Sequence, residues 1–109
     1  MKRDWDLIRA LLLEIEALEP GHALVARSID EHSRESVGYH LHLLGQAGLV
    51  ECKEQHHWNG EPNRVAVALT LQGHDLLDSI RDQDAWQAKK GMLLARLGAI
   101  SYESLRKII

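Results

Sequence analysis

Trp5, Ile8, Leu11, Leu12, Ile15 and Leu18 recur at steps of three and four residues, with Asp6, Arg9 and Glu16 between them. That spacing gathers the apolar side chains on one face and predicts an amphipathic helix from about Asp4 to Leu18. Pro20-Gly21 ends it, because Pro cannot continue a helix and Gly accepts the left-handed cap. A second helical period opens after Ser33, a residue suited to the N-cap, with Val37, Leu41 and Leu44 stacked on one face and Gly48 as its stop. Residues 49–55 and 64–70 read as two strands joined through Asn59-Gly60, a dipeptide suited to a tight hairpin. Helical spacing returns over about 71–81 and 83–97, breaks at Gly98, and resumes briefly after Ser101. His22 to Ile29 is ambiguous. We read it as a short strand, with a short helix through Val25, Ala26 and Ile29 as the alternative that would complete a helix-turn-helix.

The fold class that follows is α+β and mainly helical. The order of helix, short element, helix, two-stranded hairpin and helix is that of a winged helix-turn-helix-like unit, assigned to residues 1–84. Residues 85–109 form a helical extension that packs on the body or joins two copies, because Trp86, Leu93 and Leu97 recur at near-heptad spacing and ask for an apolar partner. A chain of 109 residues with 45% hydrophobic and 27% charged positions supports one globular domain, so disorder and fibrous architectures are excluded. It contains no Phe, which leaves Leu, Ile and Val to fill most of the core. Cys52 is the single cysteine, so no intrachain disulfide forms and a reducing cytoplasm is expected. Asp4, Asp6, Arg9 and Glu14 interrupt any signal-like apolar stretch, and the longest apolar run, Val65 to Leu69, is too short for a membrane span.

Charge changes the picture more than composition does. Residues 1–84 carry 8 Lys/Arg against 15 Asp/Glu, whereas residues 85–109 carry 5 against 1. An acidic body with a basic tail folds the tail back on itself, pairs with a second copy, offers the tail to a polyanion, or simply solvates it.

The stretch from Ser36 to Val50, ending in Ala-Gly-Leu-Val, is similar to the recognition helix and first wing strand of ArsR-type repressors. Leu69-Thr70-x-x-Gly73-His74 resembles the opening of the helix after the wing in many such regulators. Over nearly the whole chain, residues 1–9, Ser36 to Leu41, and Leu69 to Asp82 with Trp86 resemble the domain of unknown function 2513, found in small bacterial and phage proteins. The resemblance implies a winged-helix fold and a phage or prophage setting, and it implies no particular activity.

A helical wheel centred on Val37, Leu41 and Leu44 turns Glu35, Tyr39, His42 and Gln46 outward. As a DNA reader this helix offers Gln46 to an adenine edge, His42 to a base or phosphate and Tyr39 to a phosphate, with Arg34 and Arg64 as fixed positive charges. Residues 24–70 nevertheless hold only 4 Lys/Arg against 6 Asp/Glu, fewer cations than the roughly 6–10 phosphate contacts of a tight binder. Charge on histidines 32, 40, 42, 56 and 57, or formation of a homodimer, would make up the shortfall. The same face equally suits a protein partner, such as a host or defence complex blocked by an anti-CRISPR-type phage factor, with Tyr39, Leu43 and Trp58 as anchors. The sequence leaves DNA and protein open. No metal or cofactor is expected: Cys52 and His56 lie roughly 13 Å apart along a strand, against a zinc–donor reach of about 2.3 Å. No nucleophile elbow, phosphate loop or helical His-x-x-x-His pair is present, so an enzyme is not expected.

Overall fold

A computed structural model of the chain describes residues 1–56, 62–98 and 100–107, with the backbone alone at 55, 56, 62–64, 96, 97, 104, 106 and 107. The elements run α1 (Trp5–Glu16), α2 (Arg34–Gln46), β1 (Val50–His56), β2 (Pro62–Leu69), α3 (Leu71–Ile80), α4 (Gln83–Leu97) and α5 (Tyr102–Lys107). The chain is therefore mixed α+β and mainly helical, with one two-stranded antiparallel sheet among the described residues, a layout compatible with a winged-helix-like arrangement. No described helix is long and apolar enough to cross a membrane.

Each long helix starts where a capping side chain stands. Asp4 accepts from the backbone N–H groups of Asp6 and Leu7, Ser33 from Ser36, Thr70 from Gly73 and Asp82 from Ala85. The end of α2 is equally well defined. Gly48, with φ of 73°, donates to the Gly45 carbonyl, and Leu49 donates to the Leu44 carbonyl. This is a Schellman cap, whose accompanying apolar contact joins Leu44 to Leu49 and turns the chain into β1.

Residues 22–29 form neither a helix nor a full strand. Leu24 exchanges both backbone hydrogen bonds with Ala66 of β2, at 2.8 and 3.0 Å, in a single bridge on the β2 edge opposite β1. Leu24 and Ala26 turn toward the body while Val25 and Arg27 face solvent. That period of two supports extended chain and leaves no continuous apolar face for a helix. A tight turn follows, in which Ile29 and His32 bond each other across Asp30, whose φ is 51°.

The core unites every helix. Trp5, Ile8, Leu11, Leu12 and Ile15 of α1 pack with Val37, Leu41 and Leu44 of α2 and with Leu76, Leu77 and Ile80 of α3. Trp86 and Leu93 of α4, with Ile100 and Leu105, bury in the same cluster. Arg9 reaches from α1 to the carbonyls of Ile80 and Arg81, at 2.8 and 2.5 Å, and satisfies the C-terminal end of α3.

Asp6 ties α4 to α1. Its carboxylate accepts from Trp86 Nε1 at 2.9 Å and from Lys90 Nζ at 2.7 Å. Burial alone would raise the Asp6 carboxyl, but the hydrogen bonds from Lys90 and Trp86, with the charges of Lys90 and Arg9, outweigh it and hold the group below the ordinary aspartate value. Glu16 is likewise held low by hydrogen bonds from Arg81, an effect that slight burial opposes. A carboxyl depressed in the folded state stabilises the protein above its unfolded pKa, and that stability disappears as pH falls through the folded value. Stability should therefore decline below about pH 4, and Asp6→Asn should flatten part of that decline. The Asp6 side chain is 58% exposed, so the difference between the two proteins should stay under about 1 kcal/mol. Urea melts of both proteins from pH 7 to 3 would measure it, and equal slopes with pH would contradict the role given to Asp6.

Candidate functional site

The outward face of α2 is the element on which the sequence places the site. Arg34, Glu35, His42 and Gln46 are exposed, and Tyr39 is 37% exposed. Leu43 is half-buried on one flank. The structure thus brings Tyr39, His42 and Gln46 onto one exposed face, with Arg34 in the first turn. Arg64 pairs with Glu54 across the sheet, but its side chain lies outside the described residues, as does Trp58.

The inner face contains a residue the wheel centred on Val37, Leu41 and Leu44 leaves out. His40 is fully buried. Its Nε2 accepts from the backbone N–H of Asp4 at 2.8 Å, and its Nδ1 lies 2.7 Å from the Ser36 carbonyl. An accepting Nε2 requires the neutral ring with its proton on Nδ1, donating to Ser36. His40 therefore fixes α2 against the start of α1 and offers no charge to a phosphate, contrary to its grouping with the other histidines. The signal was present in the sequence, because residue 40 falls one turn after Val37 and one turn before Leu44 on the buried stripe. His32 is half-buried, 3.8 Å from an Asp4 carboxylate oxygen. His42 is exposed, and His56 and His57 have no described side chains.

Most basic side chains among the described residues are engaged within the chain. Arg3 donates to the Ile100 carbonyl at 2.6 Å and lies over the Trp5 ring. Arg27 pairs with Glu14, and Arg81 with Glu16 and Asp78. Lys89 donates to the Ser79 carbonyl, and Lys90 pairs with Asp6 over the Trp86 ring. The first half of the basic tail is thus fastened to the body. Near α2 and β1 the exposed cations among the described side chains are Arg34 and Lys53, against the exposed acids Asp30, Glu31, Glu35, Glu51 and Glu54.

A cleft of about 260 Å³ opens beside α2. Trp5, Tyr39, Leu43, Leu44, Leu49 and Tyr102 form most of its wall, and Arg3 supplies its one formal charge. The Schellman cap sets Leu44 against Leu49, and Trp5 Nε1 is held by the Ile100 carbonyl at 3.1 Å. Among the described residues no group of three His, Cys, Asp or Glu side chains is placed to hold a metal ion. Gly45 stands close to Cys52, so that a Cβ there would lie 3.2 Å from the thiol sulfur.

A family described as "Hypothetical protein (DUF2513)" matches residues 2–98. An uncharacterized protein of Haemophilus influenzae is 36% identical over 109 residues, which covers 99% of this chain and 92% of that protein. No solved structure matches.

Proposed function

The chain belongs to the DUF2513 family, and we propose that it is a small winged-helix DNA-binding regulator of the phage and prophage kind, working in the cytoplasm as a homodimer. The observation that carries this reading is the outer face of α2. A helix seated by four buried side chains, Val37, His40, Leu41 and Leu44, presents Tyr39, His42 and Gln46 together in a form that fits a major groove. Arg34 and Arg64 contact the backbone beside them, and Lys53 on β1 adds a third cation.

The internal ion pairs make the reading quantitative. Three cations per protomer release few counterions, so log K against log salt should fall with a slope of about −3 per protomer, shallow for a specific binder. Arg34→Ala should reduce that slope by about one unit, whereas Lys53→Ala and Lys90→Ala should differ. The first should behave like Arg34→Ala, and the second should leave the slope unchanged because Lys90 serves Asp6. Anisotropy titrations of labelled genomic and random duplexes at three salt concentrations would measure this. Absence of duplex binding at about 50 mM salt would remove DNA as the ligand.

A second reading rests on the surplus of exposed acid around α2 and β1. Asp30, Glu31, Glu35 and Glu51 repel phosphate and suit a basic face on a host or defence protein. In that reading Tyr39 and Leu43 are the described apolar anchors, and the wing residue Trp58 is the third. Tyr39→Ala and Leu43→Ala would then abolish capture of one defined host protein from lysate, while the variants keep the parent's melting temperature and bind no duplex.

A further inference from the structure

The cleft beside α2 combines apolar walls with one unbalanced cation. We propose that it is a binding site for a small amphipathic carboxylate, with the apolar body against Trp5, Tyr39 and Leu43 and the carboxylate at Arg3. This goes beyond the DNA reading and does not depend on it.

Arg3 is the cation at the cleft. One of its terminal nitrogens donates to the Ile100 carbonyl, and its guanidinium carbon stands 5.1 Å from the Trp5 ring centroid. A guanidinium has five N–H donors, so this single bond leaves others for a carboxylate in the planar geometry arginine favours. Among the described residues no carboxylate pairs with Arg3. Asp4, its neighbour, is directed elsewhere: one oxygen caps α1 and the other lies near His32. A positive charge at an aromatic wall without an internal counter-ion selects an anion with an apolar body over a neutral molecule.

The size and rigidity of the cleft suit the same class of ligand. At about 260 Å³ the cleft falls just below the usual range for small-molecule sites, about 300–1,000 Å³, which fits a fragment-sized ligand rather than the length of a helix. Its walls are formed in advance. Trp5 is held by Ile100 through its indole N–H, and Leu44 and Leu49 are fixed by the α2 cap. Little ordering is then needed on binding. Tyr39 belongs both to this wall and to the outer face of α2, so an occupant would adjust the face the protein presents to its partner.

The test uses the full chain labelled with ¹⁵N and two probes of one shape, 3-phenylpropanoate and its neutral amide. Saturable shifts confined to Arg3, Trp5 Nε1–H, Tyr39, Leu43 and Ala47 are expected with the carboxylate, and the amide should bind about five- to tenfold more weakly. Arg3→Gln should abolish that preference, and Arg3→Lys should restore part of it. Ala47→Leu narrows the cleft from an exposed position and should weaken both probes while the spectrum elsewhere matches the parent. Equal binding of the two probes, or no saturable shift at about 10 mM, overturns the proposal. So does a concentration-dependent dimer that Ala47→Leu dissociates, since the cleft would then belong to a second copy.

Discussion

Gly73→Ala should destabilise the protein by at least about 3 kcal/mol, enough to remove a cooperative melt or lower Tm by more than roughly 12 °C. A Cβ built on Gly73 would stand 2.0 Å from the Leu49 carbonyl oxygen and 3.0 Å from its carbon. The obstacle is backbone, so no rotamer change relieves it. That carbonyl also accepts from the Thr70 N–H at 3.0 Å, and the Thr70 hydroxyl donates to the Gly48 carbonyl at 2.6 Å. Moving α3 outward to make room would therefore break the junction that joins the end of α2 to the start of α3. Gly91→Ala is the matched control. Gly91 lies inside α4, a Cβ there meets nothing within 4 Å, and Ala is the better helix former by about 1 kcal/mol. Paired thermal melts should show the two substitutions moving Tm in opposite directions. A Gly73→Ala protein that melts within about 3 °C of the parent would show that the junction yields.

The same junction explains why so much of the fold is legible in the sequence. Leu-Thr-x-x-Gly encodes a strand end, an N-cap and a close backbone approach, each with its own chemistry. Ala-Gly-Leu-Val encodes a Schellman cap and the strand after it. Such local rules place the helices at 71–80 and 83–97 and the start of β1 within a residue of expectation. His22 to Ile29 resists them, because its conformation is decided by one bridge to Ala66, a partner some forty positions away. Periodicity cannot see that contact, and residues with mixed propensity defer to it.

For the candidate site, exposure of Tyr39, His42 and Gln46 follows from the helical period alone. The burial of His40 follows from the same period, but only when a polar residue is allowed on the apolar stripe. The state of the cations is not legible at all. Lys89, Lys90, Arg9 and Arg81 look like surface charge in the sequence, and only tertiary structure shows each engaged by a carbonyl or carboxylate. Of the cations in the basic tail, Lys89 and Lys90 therefore offer less to a polyanion than the sequence count gives them. The cleft escapes notice for a related reason, since its wall draws on α1, α2, the turn between α2 and β1, and α5.

Ending the chain after Asp84 should abolish cooperative folding. The truncation removes Trp86, Leu93, Ile100 and Leu105, four side chains that are each at least nine-tenths buried in the common core. At about 1.5–3 kcal/mol for each buried side chain, roughly 6–12 kcal/mol would be lost, comparable with the entire stability of an ordinary domain, about 5–15 kcal/mol. Polar ties disappear with them. Asp6 loses Trp86 and Lys90, and Arg3 and Trp5 lose the Ile100 carbonyl. A milder lesion separates packing from chain length. Trp86→Phe keeps an aromatic ring but deletes the indole N–H that meets Asp6, and should cost about 1–2 kcal/mol, whereas Trp86→Ala should cost about 3–5 kcal/mol by leaving a cavity. Near-UV circular dichroism, urea melts and sedimentation of the fragment and both variants would read the series. A fragment of residues 1–84 with a sharp melt close to the parent's would mean that the first three helices and the sheet bury enough surface alone, and that the tail acts between copies rather than within one.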